Sequence, residues 1–284
     1  MATGPSNSFR SSTLRGGDGL TLHTLAWLPE AEPVGLVVIA HGYAEHSARY
    51  ERLADALSRN GFAVHAIDFA GHGRSAGRRG FVSSFQGLVA DLAAFVHRVR
   101  AEHPHLRCGL FGHSAGGAVA AALCAKEPDI VDALLLSSPY LGHGEPVGEA
   151  RLRLVRLLAG VFPRLGVGRV DASRLSRLPA QVQAYLSDPL VFRRKTSAHT
   201  VIQLFSGFDV VERAASITVP LLVIHGNEDR IADPGASRLL SQRVSSTDVT
   251  FELVAGGYHE LLNDLGRERI VERVVDWFQP RLSD

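Results

Sequence analysis

Two cysteines in 284 residues are too few for a disulfide framework, and with no C-x-x-C and no H-E-x-x-H string nothing in the chain spells a metal or redox centre. No metal and no cofactor are expected. Cys108 and Cys124 read instead as small buried hydrophobes. Long apolar runs are missing as well: none approaches about 18 residues, so no segment is expected to span a membrane. The start, Met1 to Ser12, is polar and lacks the apolar core of a signal peptide, which makes a cytoplasmic protein the expectation. Gly-rich phosphate-binding patterns are absent. Excess charge is absent too: the net charge is +1, and only Lys126 and Lys195 are lysines. With no recognisable nucleic-acid module beside the arginines, nucleic acid is not an expected partner.

What the chain does have is a 45% hydrophobic composition, enough at this length for one large core. Apolar strand-like runs alternate with helical ones, the pattern of an α/β fold with a mostly parallel central sheet flanked by helices. Cys108 to Phe111 reads as a strand and Ala115 to Lys126 as a small-residue helix; between them lies Gly112-His113-Ser114-Ala115-Gly116. A G-x-S-x-G string at a strand-to-helix junction forces a sharp turn that lifts its serine out at the top of the sheet, with glycines where a Cβ would strike the neighbouring strand and helix. Such a serine is a nucleophile only if a histidine takes its proton and a carboxylate orients the histidine.

Both follow downstream. Leu221 to His225 reads as a buried strand ending in Gly226-Asn227-Glu228-Asp229, a loop at the end of the sheet where ligand-facing residues collect. Glu228, Asp229 and Asp233 compete for the acid. Asp233 precedes Pro234, which suits a helix cap; Asp229 carries most of the weight, and pattern alone does not separate it cleanly from Glu228. Thr250 to Val254 alternates as a strand, and Leu261 to Phe278 resumes with helical periodicity ending at Pro280. His259 lies on the loop between them, so Ser, Asp and His occur in α/β-hydrolase order. The oxyanion needs two amide donors: Ala115, directly after the nucleophile, and Tyr43, in His41-Gly42-Tyr43 after the strand Leu36 to Ala40. Asp68 to Gly77, after the strand Phe62 to Ile67, is a glycine-bearing loop fixed by local hydrogen bonds. Glu45 and Arg49, four apart at a helix start, read as a surface pair.

From about Tyr140 to Thr200 the alternation is interrupted, dividing the chain into a core of residues 1–139 and 201–284 and an inserted helical cap, or lid, of residues 140–200. Ten basic residues face four acidic ones there, a net +6 in a chain of +1. Leu154, Leu157, Leu158, Val161 and Phe162 fall on one helical face, with Arg151, Arg153 and Arg156 mostly off it. The plainer reading packs that face on the domain; the alternative lays it on a lipid surface as a peripheral membrane contact.

Taken together, the strings His41-Gly42-Tyr43-Ala44-Glu45-His46-Ser47-Ala48-Arg49-Tyr50, Asp68-Phe69-Ala70-Gly71-His72-Gly73-Arg74-Ser75, Gly112-His113-Ser114-Ala115-Gly116-Gly117, Gly226-Asn227-Glu228-Asp229 and Tyr258-His259-Glu260 resemble the monoacylglycerol lipases and their lysophospholipase-like relatives, from about Leu14 to Phe278. The resemblance implies an α/β-hydrolase fold with Ser114 as nucleophile, Asp229 as acid, His259 as base and Tyr43 and Ala115 as oxyanion donors. It also implies that Tyr185 meets the glycerol end of the substrate and that Glu45 and Arg49 line the small-alcohol exit. Tyr43 departs from the small residue common there in mammalian members, which changes the shape of the pocket mouth. The expected activity is hydrolysis of monoacylglycerols to fatty acid and glycerol. A lysophospholipase or general carboxylesterase is the alternative, ahead of an aminopeptidase, whose cap should carry more acids, and of a non-catalytic ligand-binding relative.

Overall fold

A computed structural model describes residues 8–283, so the first seven residues of the polar start lie outside the described residues. The chain opens with antiparallel strands β1 (Ser8–Arg15) and β2 (Thr21–Leu28). β3 (Gly35–Ala40), α1 (Glu51–Arg59), β4 (Phe62–Ile67), α2 (Phe85–Glu102), β5 (Cys108–His113), α3 (Ser114–Lys126) and β6 (Ala133–Ser137) follow. An insertion then carries α4 (Glu149–Val161), β7 (Gly166–Gly168), α5 (Pro179–Ser187), β8 (Thr196–Ser197) and α6 (Ala198–Phe205), with β7 and β8 paired as a small separate sheet. The chain returns through β9 (Leu221–Gly226), α7 (Pro234–Arg243), β10 (Val249–Val254) and α8 (Arg267–Leu282).

The main sheet runs β1-β2-β4-β3-β5-β6-β9-β10, antiparallel only where β2 meets β1 and β4. Its central strands are buried end to end, which is why they read as unbroken apolar runs rather than as alternation. Alternation reappears in the partners. Val37 and Ile39 join Leu57 of α1 and Phe278 of α8 on one face, while Leu36, Val38 and Ala40 join Leu92 of α2 and Val119 of α3 on the other. Each such valine, leucine, isoleucine or phenylalanine side chain, fully buried, stabilises the fold by about 1.5–3 kcal/mol.

β3 is flanked by β4 on one side and β5 on the other, so strand order reverses there. A crevice opens outside the carboxyl ends of strands at such a reversal. His41-Gly42-Tyr43 leaves β3 at that point, and Ser114 leaves β5.

Three expectations shift. The helical run read from Leu261 is broken: a 3-10 turn at Leu261–Asn263 is followed by Gly266 in left-handed backbone (φ 81°), and α8 begins only at Arg267 and runs through Pro280 to Leu282. Within the break the Asp264 carboxylate accepts the amides of Tyr258 and Arg177. The boundary at residue 200 falls inside α6, which packs on α4 of the insertion. On α4 itself the packed stripe is Leu152 and Val155; Leu154, Leu157, Val161 and Phe162 are each more than half exposed, and Leu158 is half-buried. Both stripes have helical spacing, and the more buried one is the one that lines a cavity together with Val201 and Leu204 of α6.

Candidate active site

Ser114 occupies the first position of α3 with φ 52°, a left-handed conformation that an L-residue holds only when its surroundings enforce it. The enforcement is steric. A Cβ on Gly116 would come within 2.3 Å of the carbonyl oxygens of Ala40 and His41, and one on Gly112 within 2.8 Å of the Gly116 carbonyl. Only glycine lets α3 start that close to the end of β3.

β9 and β10 are parallel neighbours with Gly226 opposite Val254, so the loops after them meet. There His259 Nδ1 lies 2.7 Å from Asp229 Oδ2, and His259 Nε2 lies 2.9 Å from Ser114 Oγ. Glu228 is exposed, and Asp233 caps α7 by accepting the Gly235 and Ala236 amides. Of the three carboxylates, Asp229 is the one beside the histidine. Its Oδ1 accepts the amides of Ile231 and Ala232 at 2.8 and 3.0 Å, and Oδ2 also meets His225 Nε2 at 3.1 Å. Burial alone would raise its pKa, but the charge on His259 and the hydrogen bonds from His225 and His259 outweigh burial and hold the carboxyl far below the ordinary range. The same pair acts on His259 in reverse: burial disfavours the imidazolium, yet Asp229, then Glu260 and Glu45, lift its pKa above the usual value. His113, whose ring centroid is 4.9 Å from that of His259, is driven down to about 4 by burial and by that neighbour. It stays neutral and meets the Ser137 carbonyl through Nδ1 at 3.0 Å.

The wall on the β3 side is braced by charge. Glu45 Oε1 accepts the Gly42 amide at 2.7 Å and the Tyr50 hydroxyl at 2.6 Å; its Oε2 takes Arg49 Nη1 at 2.8 Å. Arg49 reaches on to grip both oxygens of Glu260, each at 2.7 Å. Glu45 and Arg49 are therefore a largely buried pair rather than a surface one, tying the Gly42 loop to the residue after His259. Burial would raise the Glu45 pKa, but Arg49 and the nearby histidines hold it at about 2. Next along, Ala44 has φ 70°, the Tyr43 hydroxyl donates to the Gly80 carbonyl at 2.8 Å, and among the described residues the Tyr43 amide meets no protein acceptor. Ala115, in the first turn of α3, contributes one of the N–H groups that a helix start leaves unpaired.

Tyr43, Ser114, Ala115 and His259 line one cavity of about 320 Å³. Leu152 and Val155 of α4 and Val201 and Leu204 of α6 supply apolar wall; Tyr185, Glu45 and Glu260 supply a polar end. The Tyr185 hydroxyl is buried without a protein partner, and the Arg49 guanidinium stacks 4.9 Å from its ring. Arg49 itself lies behind that end, against a void of about 10 Å³ rather than the main cavity. His225 and Glu260 were not singled out from the sequence. The signal for His225 is a histidine closing an otherwise aliphatic buried strand, four residues before Asp229; Glu260 had only its adjacency to His259.

A family model described as serine aminopeptidase, S33, matches residues 31–266. Across 257 residues the chain is 36% identical to the monoacylglycerol lipase of Mycolicibacterium smegmatis, covering 90% of this chain and 92% of that protein. The chain belongs to the monoacylglycerol lipase family of α/β hydrolases. Membership makes it a carboxylic ester hydrolase. It is also 37% identical over 250 residues to the monoglyceride lipase of Homo sapiens, covering 87% of this chain and 82% of the human protein. Among solved structures, the monoacylglycerol lipase of Paleococcus ferrophilus superposes with a TM-score of 0.80 at 30% identity, covering 91% of this chain and 97% of that one. Among the described residues no helix is long and apolar enough to cross a membrane.

Proposed function

We propose that the chain hydrolyses monoacylglycerols to fatty acid and glycerol through an acyl-enzyme on Ser114. His259 Nε2 removes the proton from Ser114 Oγ as it attacks the ester carbonyl; the amides of Tyr43 and Ala115 hold the oxyanion. His259 then gives that proton to the departing glycerol oxygen and afterwards takes one from the water that releases the fatty acid. Asp229 remains ionised and keeps the imidazole aligned. Tyr185, with its free buried hydroxyl, and Glu45 receive the glycerol end, with Arg49 behind them fixing their positions. The observation that carries this reading is the unbroken hydrogen-bond line Ser114–His259–Asp229 facing a cavity with Leu152, Val155, Val201 and Leu204 in its wall and the Tyr185 hydroxyl at its polar end. Kinetics on monoacylglycerols, triacylglycerols, lysophospholipids, short nitrophenyl esters and aminoacyl amides test it. Monoacylglycerol should give the highest kcat/KM; equal values for tri- and monoacylglycerol would refute a pocket sized for one chain.

Lysophospholipid is the second reading, because Arg151 and Arg169 line the same cavity and suit a phosphate. Residues 140–200, with α6 continuing to Phe205, act in this proposal as the cap. Its exposed stripe of Leu154, Leu157, Val161 and Phe162, in a segment of net +6, supports contact with an anionic lipid surface from which substrate enters. The buried free thiols Cys108 and Cys124 support a cytoplasmic setting.

A further inference from the structure

Asp229 is met by two imidazoles. Besides His259, its Oδ2 faces Nε2 of His225, the fifth residue of β9, whose side chain has no solvent exposure. The other ring nitrogen of His225, Nδ1, lies 2.8 Å from Ser237 Oγ in the first half of α7, and Ser237 is wholly buried too. The carboxylate thus stands at the middle of a line of five side chains, Ser237, His225, Asp229, His259 and Ser114, with the same residue types on either side. Only the Ser114 end opens on the cavity.

Counting protons fixes the direction of the second arm. A neutral imidazole has one N–H and one lone pair. If Ser237 donates to Nδ1, the ring proton is on Nε2 and is directed at the carboxylate. The opposite tautomer would set a ring lone pair against a carboxylate oxygen in a dry interior, an unpaired arrangement that costs heavily. We propose that His225 is a positioning residue for catalysis: its Nε2–H pins the Asp229 carboxylate in the orientation that presents Oδ2 to His259, and Ser237 sets the tautomer that makes this possible. A carboxylate turns about a soft, roughly two-fold torsion; the Ile231 and Ala232 amides hold Oδ1, and His225 is the second hold on Oδ2. It also shares the charge that Oδ2 would otherwise direct at His259 alone. Without His225, Asp229 should bind the His259 proton more tightly and align it less well. Asp229 and the His113 ring lie against His259, and the charges of Glu260 and Glu45 also act on it; His225 acts on it through Asp229.

The inference rests on reading Ser114, His259 and Asp229 as the triad, and its test separates the two. In the full-length enzyme His225→Phe should lower kcat by about 10- to 100-fold, as loss of an outer partner does for other ligating groups, with KM little changed. The acid limb of kcat/KM should move to higher pH. His225→Gln, whose amide can donate to Oδ2 and accept from Ser237, should recover most of the rate and return the limb. Ser237→Ala should give a smaller loss in the same direction. Proton NMR of the low-field His259 Nδ1–H should show a shift in His225→Phe and Ser237→Ala and its reversal in His225→Gln. A buried histidine that merely fills space predicts otherwise: lower Tm, but unchanged kcat per folded enzyme, an unmoved acid limb and an unmoved resonance, and that result overturns the proposal. Should His225→Phe fail to fold, a wild-type pH profile and resonance in Ser237→Ala overturn it equally. An inactive Ser114→Ala beside a full-rate His225→Phe defeats this inference alone; a fully active Ser114→Ala defeats the triad.

Discussion

Glu45 is buried with a partner for each oxygen, in the Gly42 amide, the Tyr50 hydroxyl and the Arg49 guanidinium. On the other side of the same cavity, Leu157 of α4 is 62% exposed and its neighbours Leu154, Val161 and Phe162 are scarcely better covered. The first region contains charges the core should exclude, and the second exposes side chains the surface should bury. Each inversion has a physical reason. Buried ions survive where each oxygen is hydrogen-bonded and the charge is paired, and they then fix backbone positions closely, here the loop carrying Tyr43. An uncovered apolar stripe fixes nothing in the protein and is stabilised only by something apolar brought to it. The sheet side is held by paired charge, and the outer stripe of α4 is left uncovered.

The largest test of that division is on the sheet side. Ser114→Ala and His259→Ala should each reduce turnover roughly 10⁴-fold or more, with Asp229→Asn somewhat less, while circular dichroism and Tm stay near wild type. Loss of activity in Glu228→Gln instead of Asp229→Asn would break the assignment. Next comes Gly116→Ala. Its Cβ meets two backbone oxygens at the end of β3 at 2.3 Å, and because a central strand cannot yield freely it should cost about 1–3 kcal/mol or more, read as a fall in Tm by calorimetry.

Glu260→Gln sharpens the electrostatic half of the comparison. Glu260 helps raise the His259 pKa, so neutralising it should lower that pKa. The neutral, proton-accepting form of His259 then persists to lower pH, and the acid limb of kcat/KM moves down even though the loss of an Arg49 partner also lowers the rate. An upward move would contradict the sign argued here. The smallest effect on chemistry is expected on the insertion. Replacing Leu154, Leu157 and Val161 together by serine should leave hydrolysis of a soluble short-chain ester nearly unchanged while weakening co-sedimentation with anionic vesicles. Equal vesicle binding by variant and wild type would remove the lipid-surface role.

Legibility divides along the same line. Ser114 and His259 were readable because turn chemistry is local: glycines around a serine at a strand end, and a histidine loop after the last strand. Asp229 was narrowed to a loop, and its separation from Glu228 came from the pairing of β9 with β10, which no local pattern contains. The buried state of Glu45 and Arg49 was illegible because the i,i+4 pair looks the same on a surface, and what buries it is the partner Arg49 finds 211 residues away in Glu260; His225 has near partners, Asp229 and Ser237, but local spacing does not say that a strand-end histidine turns toward the loop that follows. On α4, periodicity correctly gave a helix with apolar stripes but not which stripe turns inward, since Leu152 and Val155 are spaced as Leu154 and Leu157 are. The fold class was plain from alternating strand and helix runs. Strand order, and with it the crevice beside β3, was not.

The sheet order also bears on how such a chain can change over evolutionary time. β3 lies directly against β5, and β9 against β10, so the spacing between the Tyr43 loop and Ser114, and between Asp229 and His259, is inherited from inter-strand distances of about 4.8 Å. None of these residues comes from the segment between β6 and α6. That segment should accordingly be exchangeable between relatives, provided joints to the frame are kept, among them His46 with Asp188 at 2.8 Å and Arg177 with Asp264 at 2.9 Å. A chimera so made should keep its bond-breaking rate on a small ester and take its choice of acyl chain from the donor.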